Sequence, residues 1–195
     1  MLMTDPSSYF DDVGRVISNM PFTVIDQIVS AFMEAYESNR RIYLFGNGGS
    51  AALASHFACD LGKGAANGSG KRFQALALTD NIPMMTAWAN DANYEDIFAE
   101  QLVNFVADGD LVFAISGSGR SPNVLKALKV ARDAKALTIG LTGFRGGLMK
   151  DLCDICLIVP SDNMQIIEDL HLSVTHAVFT TLRARICQES SEAVA

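Results

Sequence analysis

Five short apolar runs alternate with amphipathic stretches, and this alternation constrains the fold more than any other feature of the sequence. Continuous apolar runs of this length are typical of strands buried on both faces, as in a parallel sheet. The runs are RIYLFG (41–46), FQALAL (73–78), LVFAIS (111–116), LTIGLT (137–142) and ICLIVP (155–160). Helical patterns separate or follow them over 50–62, 94–106, 121–134 and 163–187. Strands alternating with helices predict an α/β, doubly wound domain built on a parallel sheet.

Residues 1–39 precede the first run and are predicted to be helical. In PFTVIDQIVSAFMEAYESN, apolar residues from Val24 to Tyr36 recur at spacings of three and four, which gives one apolar stripe. The preceding YFDDVGRVISNM is a weaker amphipathic segment. Two helices ahead of the first strand predict an N-terminal arm that packs on the domain or on another subunit. The length of 195 residues indicates a single domain over 1–195.

Charge and composition exclude several classes of partner. The net charge is -7 and there is no run of Lys or Arg, so neither nucleic acid nor an anionic membrane surface is an expected partner. No apolar run has the length of a membrane span, and MLMTDPSSYF lacks the pattern of a secretory signal. Cys153 and Cys156 form the motif CDIC. Because CDIC leads into a strand, whereas a redox motif of this type opens a helix after a strand, we interpret both cysteines as small apolar core residues. We expect a cytoplasmic protein.

In doubly wound folds, ligands bind at the carboxyl ends of the strands, so the residues that follow each run are the candidates for a site. GNGGSAA follows the first run, and its glycines Gly46, Gly48 and Gly49 allow a tight turn and close backbone approach. Ser50 either caps the next helix or offers its hydroxyl to a ligand. The segment matches neither the dinucleotide fingerprint nor a P-loop.

The segment SGSGRSPN after the third run is a stronger signal. Ser116, Ser118 and Ser121 cluster with two glycines, and Pro122 occupies the first turn of a helix. Backbone N–H groups at a helix N-terminus attract anions, and hydroxyls add neutral donors that suit an acidic protein. One cap requires one serine rather than three, so the segment predicts a phosphate site.

Two further segments leave their roles open. Asn90 and Asp91, after the second run, either bind sugar hydroxyls or cap the next helix. The Gly-rich segment GKGAANGSGKR (62–72) reads as a loop whose cations, Lys63, Lys71 and Arg72, either reach a phosphate or remain solvated.

The three histidines all lie on two predicted helices beside carboxylates. His56 and Asp60 are four residues apart and share a helix face, and EDLHLSVTH carries Glu168, His171 and His176. Such a set predicts either a zinc-type metal site or a general acid and base. Spacing does not decide whether His171 or His176 points inward. The alternative is that each is a partly exposed polar residue of an amphipathic helix.

Five segments in this order resemble the sugar isomerase (SIS) domain and, more closely, the phosphoheptose isomerases, which convert sedoheptulose 7-phosphate to a heptose 7-phosphate. The segments are FGNGGSAALASHFACDL, AWANDANYEDIFAEQL, ISGSGRSPNVLKAL, IGLTG and EDLHLSVTH. The resemblance implies a five-stranded parallel sheet of flavodoxin-like order and a homotetramer with active sites between subunits. It also implies zinc, which many members carry.

The resemblance assigns roles to particular residues. It implies that the substrate contacts Asn47, Gly48, Gly49, Ser50, Asn90, Asp91, Ser116, Gly117, Ser118, Ser121 and Glu168. It implies that the metal ligands are His56, Asp60, Glu168 and His176, with Asp60 as the base, His176 as the proton shuttle and His171 as a polar helix residue. Asp60 stands where the isomerases place Glu, and Glu168 stands where they place Gln.

These observations predict an aldose–ketose isomerase that acts on a phosphorylated sugar, with sedoheptulose 7-phosphate as the favoured substrate. Two alternatives stay open. One is a non-catalytic SIS protein that binds a sugar phosphate or a protein such as the bacterial replication initiator. The other is an isomerase of a different ketose phosphate.

Overall fold

The computed structural model describes residues 5–64 and 71–192 and contains one five-stranded sheet. The strands are β1 (Arg41–Gly46), β2 (Gln74–Ala77), β3 (Leu111–Ile115), β4 (Leu137–Thr142) and β5 (Ile155–Ile158). All neighbours pair in parallel, in the order β2-β1-β3-β4-β5. This is the flavodoxin-like order, so the predicted doubly wound fold is confirmed.

Helices cover both faces of the sheet and precede it. They are α1 (Pro6–Ile17), α2 (Phe22–Glu37), α3 (Gly49–Cys59), α4 (Ile82–Asp91), α5 (Ala99–Phe105), α6 (Pro122–Asp133) and α7 (Met164–Glu192). The helix predicted over 94–106 is broken into a 3-10 turn, Tyr94–Asp96, and the short α5. Helix α3 continues into a π-helical turn, Asp60–Gly64.

Alternate residues of the central strands β1 and β3 enter two separate hydrophobic clusters, which explains their nearly unbroken apolar runs. On one face, Leu44 and Phe113 pack with residues of α2, α3 and α7. On the other face, Phe45 and Val112 pack with residues of α5 and α6. Each large side chain buried in this way contributes about 1.5–3 kcal/mol. A strand buried on both faces needs apolar residues at every position.

The two helices of the predicted arm behave differently. Helix α2 buries seven residues, Phe32 among them, and belongs to the core. Helix α1 buries none, and it is held by the Tyr9 hydroxyl, which donates a hydrogen bond to the Asp169 carboxylate on α7. Within the described residues, no single helix is long and apolar enough to cross a membrane; only α1 and α2 taken together, bent by 72°, meet that test of length and composition.

The CDIC motif lies where the chain enters β5. Cys153 and Cys156 are free thiols, both partly buried, and their sulfur atoms pack against Gly140 of β4. The segment predicted as a loop, 62–72, lies largely outside the described residues.

Candidate active site

Helices α3 and α7 bring two histidines and one carboxylate together. The Nε2 atoms of His56 and His176 are 2.8 Å apart, and Asp60 Oδ2 lies 3.4 Å from His56 Nε2 and 3.9 Å from His176 Nε2. At 2.8 Å, one imidazole donates its N–H to the lone pair of the other. Residues 120 positions apart in sequence thus form one cluster, which we call the histidine cluster.

The helix faces explain this meeting. In α3, Leu53, Ala54 and Phe57 are buried against the sheet, which leaves His56 on the side that faces α7. Asp60 follows one turn later and begins the π-helical turn. π-Helical turns are rare and frequently occur at functional sites. Although Asp60 is one methylene shorter than a glutamate, its carboxylate reaches both imidazoles.

The donor set of the histidine cluster fits a divalent transition metal. One ligand atom from each of His56, Asp60 and His176 lies within 4.8 Å of the others. Around a tetrahedral zinc ion, neighbouring ligand atoms lie about 3.3–3.6 Å apart, and the three separations in this cluster bracket that range. Two imidazoles and a carboxylate are also a ligand combination that catalytic zinc sites use with one open position.

Glu168 stands beside the cluster rather than within its triangle of ligand atoms. Its Oε1 lies 3.5 Å from the position that a Cβ on Gly49 would occupy, so the carboxylate covers the turn after β1. Gly49, Glu168 and both cluster histidines line a cavity of about 410 Å³, which we call the histidine cavity. The structure therefore brings His56, Asp60 and His176 into contact and places Glu168 on the wall of the cavity that the two histidines line.

His171 differs from its expected role as a partly exposed polar residue: its exposed fraction is 1%, so that expectation is wrong. It also lines the cavity, and neither ring nitrogen has a hydrogen-bond partner among the described residues. Burial lowers the pKa of His171 to about 4, opposed by the smaller effect of the nearby Thr142 carbonyl. The carbonyl oxygen of Thr142 accepts its hydrogen bond from the Val159 amide at 2.8 Å.

The sequence contained a signal for this burial. Ile167, His171, Val174 and Val178 follow one another at spacings of four, three and four, which is the apolar stripe of α7. His176 lies off that stripe and is half exposed. The helical period therefore distinguishes the buried His171 from the half-exposed His176, which their spacing from Glu168 alone does not.

The turn after β3 carries Ser116, Ser118 and Ser121, and we call it the serine-rich turn. Its hydroxyls do not cap helix α6, which follows. Ser121 is the N-cap residue of α6, yet its side chain makes no capping hydrogen bond. It pairs instead with the Ser116 hydroxyl at 3.0 Å, while Ser118 Oγ accepts from the Arg120 amide at 3.3 Å. The N-terminus of a twelve-residue helix with three nearby hydroxyls is a suitable binding site for a phosphate.

Asn47 is engaged in a network that the sequence did not predict. Its Nδ2 donates to Asn123 Oδ1 at 2.9 Å, and Asn123 Nδ2 donates back to Asn47 Oδ1 at 2.8 Å. The Tyr94 hydroxyl donates to the same oxygen of Asn47 at 3.1 Å. Asn123 is buried at the start of α6. The side chain of Asn47 therefore fastens the turn after β1 to the helix that bears the serine-rich turn.

The other residues assigned to the substrate are spread around these elements. Ser50 is buried inside the first turn of α3 and lines the histidine cavity, while Gly48 adopts φ 56° and ψ -123°, which glycine tolerates best. Asn90 and Asp91 are exposed at the end of α4, where Asn90 Nδ2 donates to Asp91 Oδ1 at 2.7 Å. Neither is among the residues that line the histidine cavity.

Of the three cations of the Gly-rich segment, Lys71 contacts helix α2. Lys63 and Arg72 are exposed. Lys71 donates to the Glu37 carbonyl at 3.0 Å and lies 4.7 Å from the centre of the Tyr36 ring.

Comparison with known proteins agrees with this architecture. The family model described as SIS domain matches residues 8–143. A phosphoheptose isomerase from Bradyrhizobium sp. (strain BTAi1 / ATCC BAA-1182) is 39% identical over 165 residues, which cover 85% of this chain and 83% of that protein.

Two solved structures have the same fold over nearly their whole length. A phosphoheptose isomerase from Francisella tularensis superposes with a TM-score of 0.82 and 30% identity, covering 90% of this chain and 95% of that one. A phosphoheptose isomerase from Neisseria gonorrhoeae gives a TM-score of 0.83 and 28% identity, covering 91% and 96%. The chain belongs to the SIS-domain proteins and, within them, to the phosphoheptose isomerase family.

Proposed function

We propose that the protein is an aldose–ketose isomerase that converts sedoheptulose 7-phosphate to a D-glycero-heptose 7-phosphate. The observation that carries this proposal is the histidine cluster, in which a carboxylate meets two imidazoles that line a cavity. Moving a carbonyl between two adjacent carbons requires one base that transfers a carbon-bound proton and one group that transfers a proton between oxygens. The cluster supplies both kinds of group.

Asp60 is the base in this mechanism. Its carboxylate removes a proton from C1 of the ketose, which gives an enediolate, and returns a proton to C2. His176 accepts the proton of the C1 hydroxyl and gives a proton to the oxygen on C2, so that C1 becomes the carbonyl carbon. While no metal is held, His56, 2.8 Å from His176, keeps the second imidazole in position through the Nε2–Nε2 hydrogen bond, which a metal held by both nitrogens would replace.

We propose zinc as the metal held by His56, Asp60 and His176, with Glu168 as a fourth ligand or a substrate contact. When bound, zinc supplies a Lewis acid that polarises the carbonyl and stabilises negative charge on the enediolate. Glu168 in place of the family's Gln adds a negative charge to the cavity wall and favours a cation there.

The serine-rich turn anchors the other end of the substrate. Ser116, Gly117, Ser118 and Ser121 hold the phosphate at the N-terminus of α6, and binding energy from this remote group orients the reacting carbons. Residues near the first turn of α7 lie against Gly117, and the same helix carries His176. One helix therefore spans both ends of the proposed substrate site.

We propose that the active protein is a cytoplasmic homotetramer in which Asn90 and Asp91 face the sugar at an active site shared between subunits. Their exposed position at the end of α4, away from the histidine cavity of the same chain, supports this arrangement. Gel filtration with light scattering tests the tetramer.

Turnover tests the function. The purified protein is incubated with zinc and sedoheptulose 7-phosphate, and the aldose product is followed by NMR. We expect the heptose 7-phosphate as product, and no activity on unphosphorylated sedoheptulose at the same concentration. A folded protein that isomerises none of a panel of ketose phosphates contradicts the proposal and favours the non-catalytic alternative.

A further inference from the structure

A second cavity adjoins the serine-rich turn and is rich in positive charge. It has a volume of about 340 Å³ and is lined by Ser118, Arg120, Phe144, Arg145, Gly147 and Asp162. We call it the arginine cavity. Ser118 belongs both to this cavity and to the proposed phosphate turn, so the two are continuous. The two arginines come from different loops, one after β3 and one after β4.

Among the described residues, neither arginine side chain has an ion-pair or hydrogen-bond partner that explains its position. Within residues 5–64 and 71–192, no ion pair or side-chain hydrogen bond involves the guanidinium of Arg120 or Arg145. Among the described residues that line the arginine cavity, Asp162 carries the one carboxylate, which leaves this lining with one positive charge in excess. The rest of the chain repels anions, because its net charge is -7. The arginine cavity is therefore locally positive, although the protein as a whole is negatively charged.

The two loops are locked together by backbone contacts. The Gly143 amide donates to the Gly117 carbonyl at 2.9 Å, and the Leu148 amide donates to the Gly119 carbonyl at 2.9 Å. A Cβ on Gly119 would lie 2.3 Å from the Gly146 carbonyl oxygen, so the loops approach more closely than any other residue permits. The main chain that carries Arg145 is thereby fixed against the serine-rich turn.

Phe144 adopts a conformation that is unfavourable for a bulky residue. Its φ is 51°, and an L-residue in this region costs about 1–2 kcal/mol. Its amide donates to the Ser161 carbonyl at 3.0 Å, and its side chain packs against the core. Strain of this kind persists where the surroundings enforce it and clusters at ligand sites. Here it places Arg145 on the cavity wall, next to Ser118.

We propose that the arginine cavity is a phosphate-binding subsite in which Arg120 and Arg145 contact a phosphate dianion together with the Ser118 hydroxyl. Guanidinium groups offer paired N–H donors that match phosphate oxygens, and charge-assisted hydrogen bonds of this kind are stronger than those from neutral hydroxyls. The inference adds to the proposed function, because the serine-rich turn alone offers a phosphate only neutral donors. The phosphate is either that of the sugar substrate or a free phosphate ion.

Binding of inorganic phosphate tests the subsite without relying on catalysis. Calorimetry at low ionic strength compares the unaltered protein with an Arg120→Gln/Arg145→Gln variant and with an Arg183→Gln/Arg185→Gln control, which removes two exposed cations from α7. Because exposed ion pairs are individually weak, we expect each arginine to contribute about three- to tenfold, so the double variant should bind phosphate about ten- to a hundredfold more weakly. We expect the control to change affinity less than twofold.

Kinetics then distinguish the two sources of phosphate. If the subsite takes the substrate's phosphate, the double variant lowers kcat/KM for the sugar phosphate about tenfold, and kcat/KM depends less on salt. If it takes free phosphate, the variant leaves KM unchanged and abolishes inhibition by inorganic phosphate. A correctly folded double variant with unaltered phosphate affinity overturns the subsite, whether or not the protein is an isomerase. If the Arg183→Gln/Arg185→Gln control loses turnover, the failure concerns the proposed function or the assembly of subunits and not the arginine cavity.

Discussion

Replacing His171 with phenylalanine should remove a loss of stability that the protein undergoes at acidic pH. His171 is buried, its pKa is lowered to about 4, and its ring nitrogens lack partners among the described residues. Below the unfolded pKa of 6.5, the unfolded chain binds a proton that the native state does not. Stability is therefore lost as the pH falls from about 6.5 to about 4.

The size of the effect follows from the shift. A difference of about 2.5 units at 1.36 kcal/mol per unit amounts to about 3 kcal/mol across this range. Phenylalanine has a similar shape and no proton to bind, so His171→Phe should lack this loss. At pH 7 the variant should be as stable as the unaltered protein or more stable, because it removes a buried polar group without partners.

Urea unfolding at fixed protein concentration, measured at pH 7, 6, 5 and 4, gives the free energy of unfolding for both proteins. Other titrating groups affect both proteins alike, so the difference between them isolates His171. Ser173→Ala, an exposed change on the same helix, is the control and should follow the unaltered protein. A His171→Phe variant whose stability falls in parallel with the unaltered protein down to pH 4 would refute the reasoning.

Three further predictions concern neighbouring features. Gly119→Ala should abolish phosphate binding and lower the melting temperature in a thermal scan, because its Cβ would lie 2.3 Å from the Gly146 carbonyl oxygen. Asn123→Ala should destabilise the protein by about 1–3 kcal/mol in urea, because Asn47 loses both reciprocal hydrogen bonds; an unchanged midpoint would contradict the network. Zinc should bind at one ion per subunit by metal analysis, and His56→Ala should lower zinc affinity at least a hundredfold; equal zinc content in both proteins would argue against the histidine cluster as the site.

The fold followed from the sequence because its signals are local. The central strands β1 and β3 are buried on both faces, so their runs are almost entirely apolar, and the helices between the strands keep their own period. The helix predicted over 94–106 was the exception. The 94–106 pattern is apolar enough for one helix, yet the chain turns at Tyr94–Asp96, where Asn93 Nδ2 donates to Asp96.

The candidate site was predictable only in part. His56 and Asp60 were paired by helix spacing, but no local rule connects them with His176, which lies 120 residues beyond His56. The reciprocal pair of Asn47 and Asn123 depends on how α6 meets the turn after β1, and that geometry exists only in the folded chain. The burial of His171, by contrast, was present in the sequence as a position on an apolar stripe.

The most direct test of the account is proton transfer by Asp60. Sedoheptulose 7-phosphate is incubated in D2O with the unaltered protein and with Asp60→Asn, which keeps the size of the side chain and removes its charge. The account predicts deuterium at the reacting carbons with the unaltered protein and a rate lower by about 10²–10⁴ with the variant, at unchanged fold. Equal rates of exchange in the two proteins, or none with the unaltered protein and zinc, would contradict the claim that this cluster isomerises a sugar phosphate.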